Sequence, residues 1–553
     1  MRIDLIQNFP EKWTPNTAQQ FILNELANVL DDERKFIIIC APTGSGKSMI
    51  AKTLCNISSY PTKEFQKDCM SGAMYDPSRE EPKTARQRSG CAVLTCTKSL
   101  QDQYVTEFTD GNALKGRVNY PCSVNEDHTY QDGICKFVSG QKKVCIKKRQ
   151  CAYINQRALT DCNRSQFFNY SIFMQRPSTV KYKDFIVCDE ASELEMILVG
   201  EYTVVISIES FMDLVQVAIP PTPYKKASRG EYLTWIDECK KICEMQIAAI
   251  ENIWSEEQKG NKKKKKNKNI SYQDLNRYRK LSEYALKLKT LSETWGDTEY
   301  LIENERNIII FKPYNVDSLA NKFLFSYGHK VVLMSATIID HENFAKTLGI
   351  NPNDYHYIEA PSMFDPKKAP IKKVGDIGIT YSNKRETLPK VAEMAKMICE
   401  HFVGQKGIIH SHSMEILEYV RRAMGGDKRF LYREDDRTNE DLIKQHKLST
   451  KDTVLVSPSM THGVDLKGDL GKFQLIMKAP FSPLGDNRIK RKCKEDPQWY
   501  TNMMLSTLVQ ACGRCNRTAS DESATFILDA TAWNVIQRNL DRLPEYFRKR
   551  LTQ

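Results

Sequence analysis

No stretch of this sequence approaches the roughly 18 consecutive apolar residues of a membrane span, which excludes a helical transmembrane segment and a membrane partner. The start of the chain lacks a secretory pattern, because Met1-Arg2-Ile3-Asp4 carries an early acid and no apolar core segment follows. A reduced, cytoplasmic compartment is expected, that of a bacterium or of the host for a phage-encoded chain. No internal repeat is visible, which sets repeat architectures aside.

At 553 residues the chain is too long for one core, so several domains are expected. Apolar residues make up 41% and charged residues 27%, enough for most of the chain to fold. Lys and Arg (81) outnumber Asp and Glu (69), a net charge of +12 that favours a polyanionic partner. Part of that excess sits in one run, Lys262–Lys266, which reads as a flexible, solvated loop. Seventeen cysteines are present, and Cys40, Cys96 and Cys188 end or interrupt apolar strands as small hydrophobes.

Apolar runs of strand length recur at Phe36–Cys40, Ala92–Thr95, Phe185–Cys188, Val331–Met334, Gly407–His410, Thr453–Val456, Gln474–Met477 and Thr525–Leu528. Helical patterns separate many of them, which predicts an α/β fold with two parallel-sheet domains covered on both faces. Ser59–Gly90 reads as a long polar surface excursion. Between Glu201 and Glu305 the pattern turns helical, with Ile236, Cys239, Cys243, Ile247, Ile250 and Trp254 at three- and four-residue steps. Leu275, Tyr278, Leu281, Ala285, Leu288 and Trp295 repeat it, so a helical hairpin with the lysine run at its tip is expected.

Ala41-Pro42-Thr43-Gly44-Ser45-Gly46-Lys47-Ser48 follows an apolar strand and opens a helix. Glycines there let successive backbone N–H groups turn toward phosphate oxygens, Lys47 reaches the β- and γ-phosphates, and the Ser48 hydroxyl ligates Mg²⁺. Ala41 replaces the usual first glycine. The strand Phe185–Cys188 ends in Asp189 and Glu190, the first to hold Mg²⁺ and the second to polarise the attacking water. Gln510-Ala511-Cys512-Gly513-Arg514-Cys515-Asn516-Arg517 sets Arg514 and Arg517 three apart, guanidiniums able to cross a cleft toward a phosphoryl group. Ser335-Ala336-Thr337 follows one strand, and Gly463-Val464-Asp465 with Gly468 follows another.

Cys122, Cys135, Cys145 and Cys151 stand between the phosphate loop and the Asp-Glu pair, separated by twelve, nine and five residues. Thiolates at such spacings can close on an iron–sulfur cluster or a tetrahedral Zn²⁺. No histidine pattern or C-x-x-C pair among the four argues for a zinc ribbon. Cys162 is the competing fourth ligand, read as a packing residue. Lys142, Lys143, Lys147, Lys148 and Arg149 interleave the ligands, and Tyr130, Phe137 and Tyr153 could stack bases, so a nucleic-acid surface is expected there.

The order of these motifs, with Thr95-Cys96-Thr97, Leu100 and Gln103 after the phosphate loop, resembles a superfamily-two helicase. More narrowly, Leu114-Lys115-Gly116-Arg117-Val118-Asn119-Tyr120-Pro121-Cys122, Cys151-Ala152-Tyr153, Asn169-Tyr170, Phe344–Gly349, Ser362-x-Phe364 and Leu543-Pro544 are similar to the XPD/DinG helicases. The resemblance implies two RecA-like motors using ATP and Mg²⁺, a [4Fe-4S] cluster on the four cysteines, and an arch-like helical insertion. It implies a catalytic set of Lys47, Asp189, Glu190, Gln510, Arg514 and Arg517, with Thr43, Gly44, Ser45, Gly46, Lys47, Ser48 and Asp465 holding nucleotide. It divides the chain into first motor (1–119, 165–200 and 306–340), cluster domain (120–164), arch (201–305) and second motor (341–553).

The function it implies is 5′-to-3′ translocation on single-stranded DNA and opening of forks by a monomer, in DNA repair or replication. A DNA–RNA hybrid is a further expected substrate. The rivals are a translocase that strips RNA or protein from DNA, a redox-sensing nucleic-acid switch, and a zinc-stabilised RNA remodeller. Several positions besides Ala41 depart from the family. Ser192 stands where histidine often follows Asp-Glu-Ala, and His462 stands where glutamate precedes Gly-Val-Asp. His410-Ser411-His412-Ser413 replaces a more aromatic strand end.

Overall fold

The computed structural model describes residues 4–76, 80–123, 127–132, 151–260, 272–460, 466–516 and 520–552. Cys135, Cys145, Asp465, Arg517, His462, Lys262–Lys266, Phe137 and the interleaved basic residues Lys142–Arg149 lie outside them. Among the described residues no helix is long and apolar enough to cross a membrane.

The first motor sets down β1 (Phe36–Cys40), β2 (Cys91–Thr95), β3 (Asn112–Leu114), β4 (Ser165–Asn169) and β5 (Lys183–Asp189). The insertion contributes β6 (Val204–Ser207), β7 (Tyr300–Glu305) and β8 (Ile308–Pro313), after which β9 (Gly328–Ser335) and β10 (Tyr355–Glu359) return to the first motor. The second motor holds β11 (Ile371–Lys373), β12 (Gly407–His410), β13 (Phe430–Tyr432), β14 (Val454–Ser457), β15 (Phe473–Ile476), β16 (Ala524–Ile527) and β17 (Leu551–Thr552).

Two seven-stranded sheets result, ordered β10-β1-β9-β5-β2-β4-β3 and β13-β14-β12-β15-β16-β11-β17. Every pairing in both is parallel. A parallel sheet between helical layers needs strands that are apolar on both sides. β1 shows this directly: Phe36, Ile38 and Cys40 enter one core, while Ile37 and Ile39 enter the core on the opposite face.

β6, β8 and β7 form a small antiparallel sheet under the helices Arg229–Gly260 and Tyr272–Thr294. The two helices run antiparallel, because Asp237 accepts from Ser292 (2.9 Å) and Glu251 from Tyr278 (2.5 Å). Their shared core gathers Trp235, Ile236, Cys239, Cys243, Leu281 and Leu288 over Ile206, Ile309 and Phe311, so Cys239 and Cys243 are packing residues.

Three boundaries differ from the sequence reading. The insertion starts at Val204 and ends at Pro313 rather than spanning 201–305, because β6 and β8 pair with each other across it. The first motor ends near residue 360 rather than 340, because β10 lies beside β1 in register Phe36↔Tyr355. Ser59–Gly90 is a packed element rather than a surface excursion. Its helix Lys63–Ser71 and the turn Ala73–Tyr75 bury Phe65, Cys69 and Met74 against Val180 and the half-buried Cys162. Beneath it Asp161 is fully buried, accepting from Tyr75 Oη (2.5 Å) and paired with Arg176.

Candidate active site between the motors

The phosphate loop joins β1 to the helix Lys47–Ile57. Gly46 caps that helix at φ +79°, and a Cβ there would lie 2.2 Å from Gln19 Nε2, so only glycine fits. Gln19 belongs to a capping box with Asn16 at the start of the helix Thr17–Val29. Both amides reach the loop: Asn16 Nδ2 donates to the Ser45 carbonyl (3.3 Å) and Gln19 Nε2 to the Gly46 carbonyl (3.2 Å). The loop is therefore braced from behind by two residues that the motif reading passed over. Lys47 Nζ rests 3.5 Å from the Ala41 carbonyl, and Ser48 Oγ donates to Glu107 (3.3 Å).

Asp189 ends β5 beside this loop and is buried. Its Oδ2 accepts from Tyr104 Oη (3.0 Å) and its Oδ1 from the Glu190 amide (3.0 Å), while Tyr170 Oη holds its carbonyl (3.0 Å). Burial, and then the neighbouring Glu190 charge, pushes the Asp189 carboxyl up to about 6, against the opposing pull of the Lys47 ammonium. A carboxylate this reluctant to stay charged is poised for a cation. Glu190 adopts a left-handed backbone (φ 51°), a strained state for a residue with a side chain, which turns the chain sharply after the strand.

Hydroxyls link this turn to the Ser-Ala-Thr loop at the end of β9. Ser335 Oγ donates to Glu190 Oε2 (3.3 Å), and Ser192 Oγ lies 2.9 Å from Ser335 Oγ and 3.0 Å from Thr337 Oγ1. Ser192, the departure from the family pattern, thus sits inside the network that joins the two motifs.

The second motor closes on the same loops through the helix Pro497–Cys512. Ser506 Oγ donates to the Thr337 carbonyl (3.1 Å), and Tyr546 Oη donates to the Ala336 carbonyl (2.5 Å). At the helix end, Thr43 Oγ1 of the phosphate loop donates to the Gly513 carbonyl (3.4 Å). A Cβ at position 513 would lie 2.9 Å from that hydroxyl, so a side chain there would displace the Thr43 contact. Gln510 and Arg514 flank this contact and are buried. Lys47, Asp189 and Glu190 therefore gather on the first-motor side, and the Thr43–Gly513 contact brings the end of the Gln510 helix to the same loop.

Cys122 and Cys151 are both buried at one corner of the first motor. Cys122 lies in a short hairpin, its amide donating to the His128 carbonyl (2.8 Å), and Cys151 caps the helix Ala152–Asp161. Rings tie the two together: Tyr153 stacks on Tyr130 (4.1 Å between centroids) and packs edge-on against Tyr120 (5.4 Å). Tyr153 is thereby buried and spent on packing, which corrects its expected role as a base-stacking residue. Cys162 caps the far end of the same helix, about 15 Å along its axis, with its thiol 3.6 Å from the Gln66 carbonyl. From the insertion, Arg279 reaches Asp132 of the cysteine hairpin (3.7 Å).

Residues 398–550 match the family model described as "Helicase C-terminal domain". No curated protein sequence matches the chain. Among solved structures, an XPD helicase aligns at TM-score 0.60 and 14% identity, covering 95% of this chain and 98% of its own. S. tokodaii Xpd4 aligns at TM-score 0.54 and 14% identity, with coverage of 96% and 98%. An apo XPD gives TM-score 0.53 and 15% identity, with coverage of 94% and 97%. Residues 398–550 thus carry a helicase C-terminal domain, and the overall fold resembles that of the XPD helicases.

Proposed function

We propose that this helicase moves 5′-to-3′ on single-stranded DNA and opens forked duplexes as a monomer. The observation that carries the reading is the contact between Thr43 and Gly513, which puts the end of the Gln510 helix against the phosphate loop. In this reading Lys47 holds the terminal phosphates, while Ser48 and Asp189 hold Mg²⁺. Glu190 orients and deprotonates the attacking water, and Arg514 with Arg517 neutralises charge as the bond breaks. Product release loosens the contact between the motors, and the open and closed states grip the strand differently, which yields a step.

Cys122, Cys135, Cys145 and Cys151 would hold the [4Fe-4S] cluster. The two described thiols fit: both are buried, and stacked tyrosines bring their segments to one corner. When bound, the cluster supplies a rigid cross-link and no catalytic step. Opening a base-pair step costs about 1.4 kcal/mol in stacking, within reach of a rigid wedge pulled along a strand.

Forked DNA with a 5′ or a 3′ single-stranded arm tests the reading. The wild type should unwind only the former, and Glu190→Gln should bind ATP and DNA without unwinding either. Unwinding confined to the 3′-armed fork, or equal unwinding by Glu190→Gln, would sink it. Iron and visible absorbance should be present in anaerobically purified protein and lost in Cys122→Ser.

A further inference from the structure

Arg488 belongs to the second motor, in the helix Asn487–Glu495, yet it is 1% exposed and, among the described residues, its guanidinium hydrogen-bonds to none of its own motor. Its Nε donates to the carbonyls of Pro313 (3.0 Å) and Tyr314 (3.1 Å), where β8 leaves the helical insertion. Its Nη2 pairs with Glu195, whose other oxygen accepts from Trp499 Nε1 (2.7 Å). Glu195 lies in the first turn of the helix Leu194–Tyr202, which continues from the Asp189-Glu190 turn. Trp499 opens the helix that ends at the Thr43–Gly513 contact. One side chain therefore joins three bodies: the second motor, the return strand of the insertion and the helix behind the catalytic carboxylates.

Burying a guanidinium costs several kcal/mol, and a packed apolar group at such a site is often as stable or more so. What the guanidinium adds is geometry, because its planar fork meets backbone carbonyls and a carboxylate in one rigid arrangement that an ammonium cannot copy. The surrounding contacts follow the same seam: Lys312 with Asp486 (2.7 Å), Arg491 with Glu299 (2.6 Å) and Asn487 with Glu303 (3.0 Å). Each joins the second motor to the foot of the insertion rather than to its helical tip.

We propose that Arg488 is a positioning residue that couples the helical insertion to closure of the motors. When nucleotide draws the second motor onto the phosphate loop, Arg488 carries the return strand, and with it the two long helices, in the same movement. The inference rests on the helicase reading but concerns transmission rather than hydrolysis.

Amide hydrogen exchange of the full chain, with and without a non-hydrolysable ATP analogue and Mg²⁺, tests it. At about ten times its Kd the analogue should slow phosphate-loop exchange roughly tenfold. Exchange in residues 300–314 and in the helices Arg229–Gly260 and Tyr272–Thr294 should change as well. In Arg488→Lys the phosphate-loop protection should remain and the change in the insertion should vanish. Glu195→Gln, which keeps the fork on its carbonyls, should weaken the change and serves alone where Arg488→Lys does not fold. Full transmission in these variants overturns the proposal, as does a wild-type insertion that ignores the analogue while the phosphate loop is protected. An unprotected wild-type phosphate loop overturns the nucleotide reading first and this inference with it.

Discussion

Two buried aspartates close apolar strands in the two motors, and they do opposite work. Asp189 follows Phe185-Ile186-Val187-Cys188, and Asp529 follows Thr525-Phe526-Ile527-Leu528. Asp529 accepts from the backbone amides of Ile379 (3.1 Å), Ala479 (2.8 Å) and Thr531 (2.9 Å). Those bonds cap the helix Ala530–Arg538 and clamp the loops after β11 and β15, committing the carboxylate to structure. Asp189 has one tyrosine hydroxyl and one amide, and stands beside a second carboxylate and a lysine. An acid at the end of a buried strand is thus destabilised or locked into the architecture according to its partners, not its position.

The largest effect should separate the two outright. Asp189→Asn is expected to cut Mg²⁺-dependent ATP hydrolysis by at least ~100-fold, as loss of a metal ligand should. Its thermal midpoint should hold or rise, because a carboxylate that burial disfavours has been neutralised. Asp529→Ala should do the reverse. It strands two buried amides at about 1–3 kcal/mol each and removes the helix cap at Thr531, so urea unfolding should shift by several kcal/mol while turnover per folded molecule stays near that of the wild type. Similar losses of turnover in both variants would break the comparison.

Titration sharpens it. The Asp189 carboxyl is raised from its ordinary 3.8 to about 6, so the folded, nucleotide-free protein binds this proton more tightly than the unfolded chain does. Stability should therefore be highest below that window and fall as pH rises through about 6, while ATP turnover, which needs the carboxylate, rises over the same interval. Asp189→Asn should abolish that part of the stability profile, and Asp529→Ala should leave it in place. The smallest effect concerns the brace behind the phosphate loop. Gln19→Ala breaks the capping box, at about 0.5–2 kcal/mol in stability, and should raise the Kd for ATP by no more than about tenfold.

The strands that carry the phosphate-loop, Asp-Glu and Ser-Ala-Thr motifs were legible because each lies inside its sheet and has a continuous apolar run. β10 was missed for the complementary reason. As an edge strand with the sequence Tyr355-His356-Tyr357-Ile358-Glu359 it carries no such run, and its partner β1 lies more than 300 residues earlier. The small sheet under the helical insertion was hidden likewise, since β7 ends in Glu303-Asn304-Glu305. Asn16 and Gln19 did leave a trace, a cap signature before an apolar helix, but nothing local said that their amides would turn toward the phosphate loop. Arg488 left none: it stands in Asn487-Arg488-Ile489-Lys490-Arg491-Lys492, a stretch that reads as a solvated basic helix until its carbonyl partners are known.

The place of β9 in the first sheet carries a consequence for how the protein is made. It lies between β1 and β5, so those two strands have no direct pairing and wait for residues 328–335. At the usual ~5–20 residues per second of synthesis, roughly 7–30 s separate completion of β5 from arrival of β9. During that interval β1 has neither of its partners and β5 lacks one, while the helical insertion, which has a core of its own, is completed before β9 arrives. The insertion should therefore complete its core on the ribosome before the first motor that surrounds it in sequence. A chaperone's longest engagement is then expected with the half-sheet that awaits its central strand.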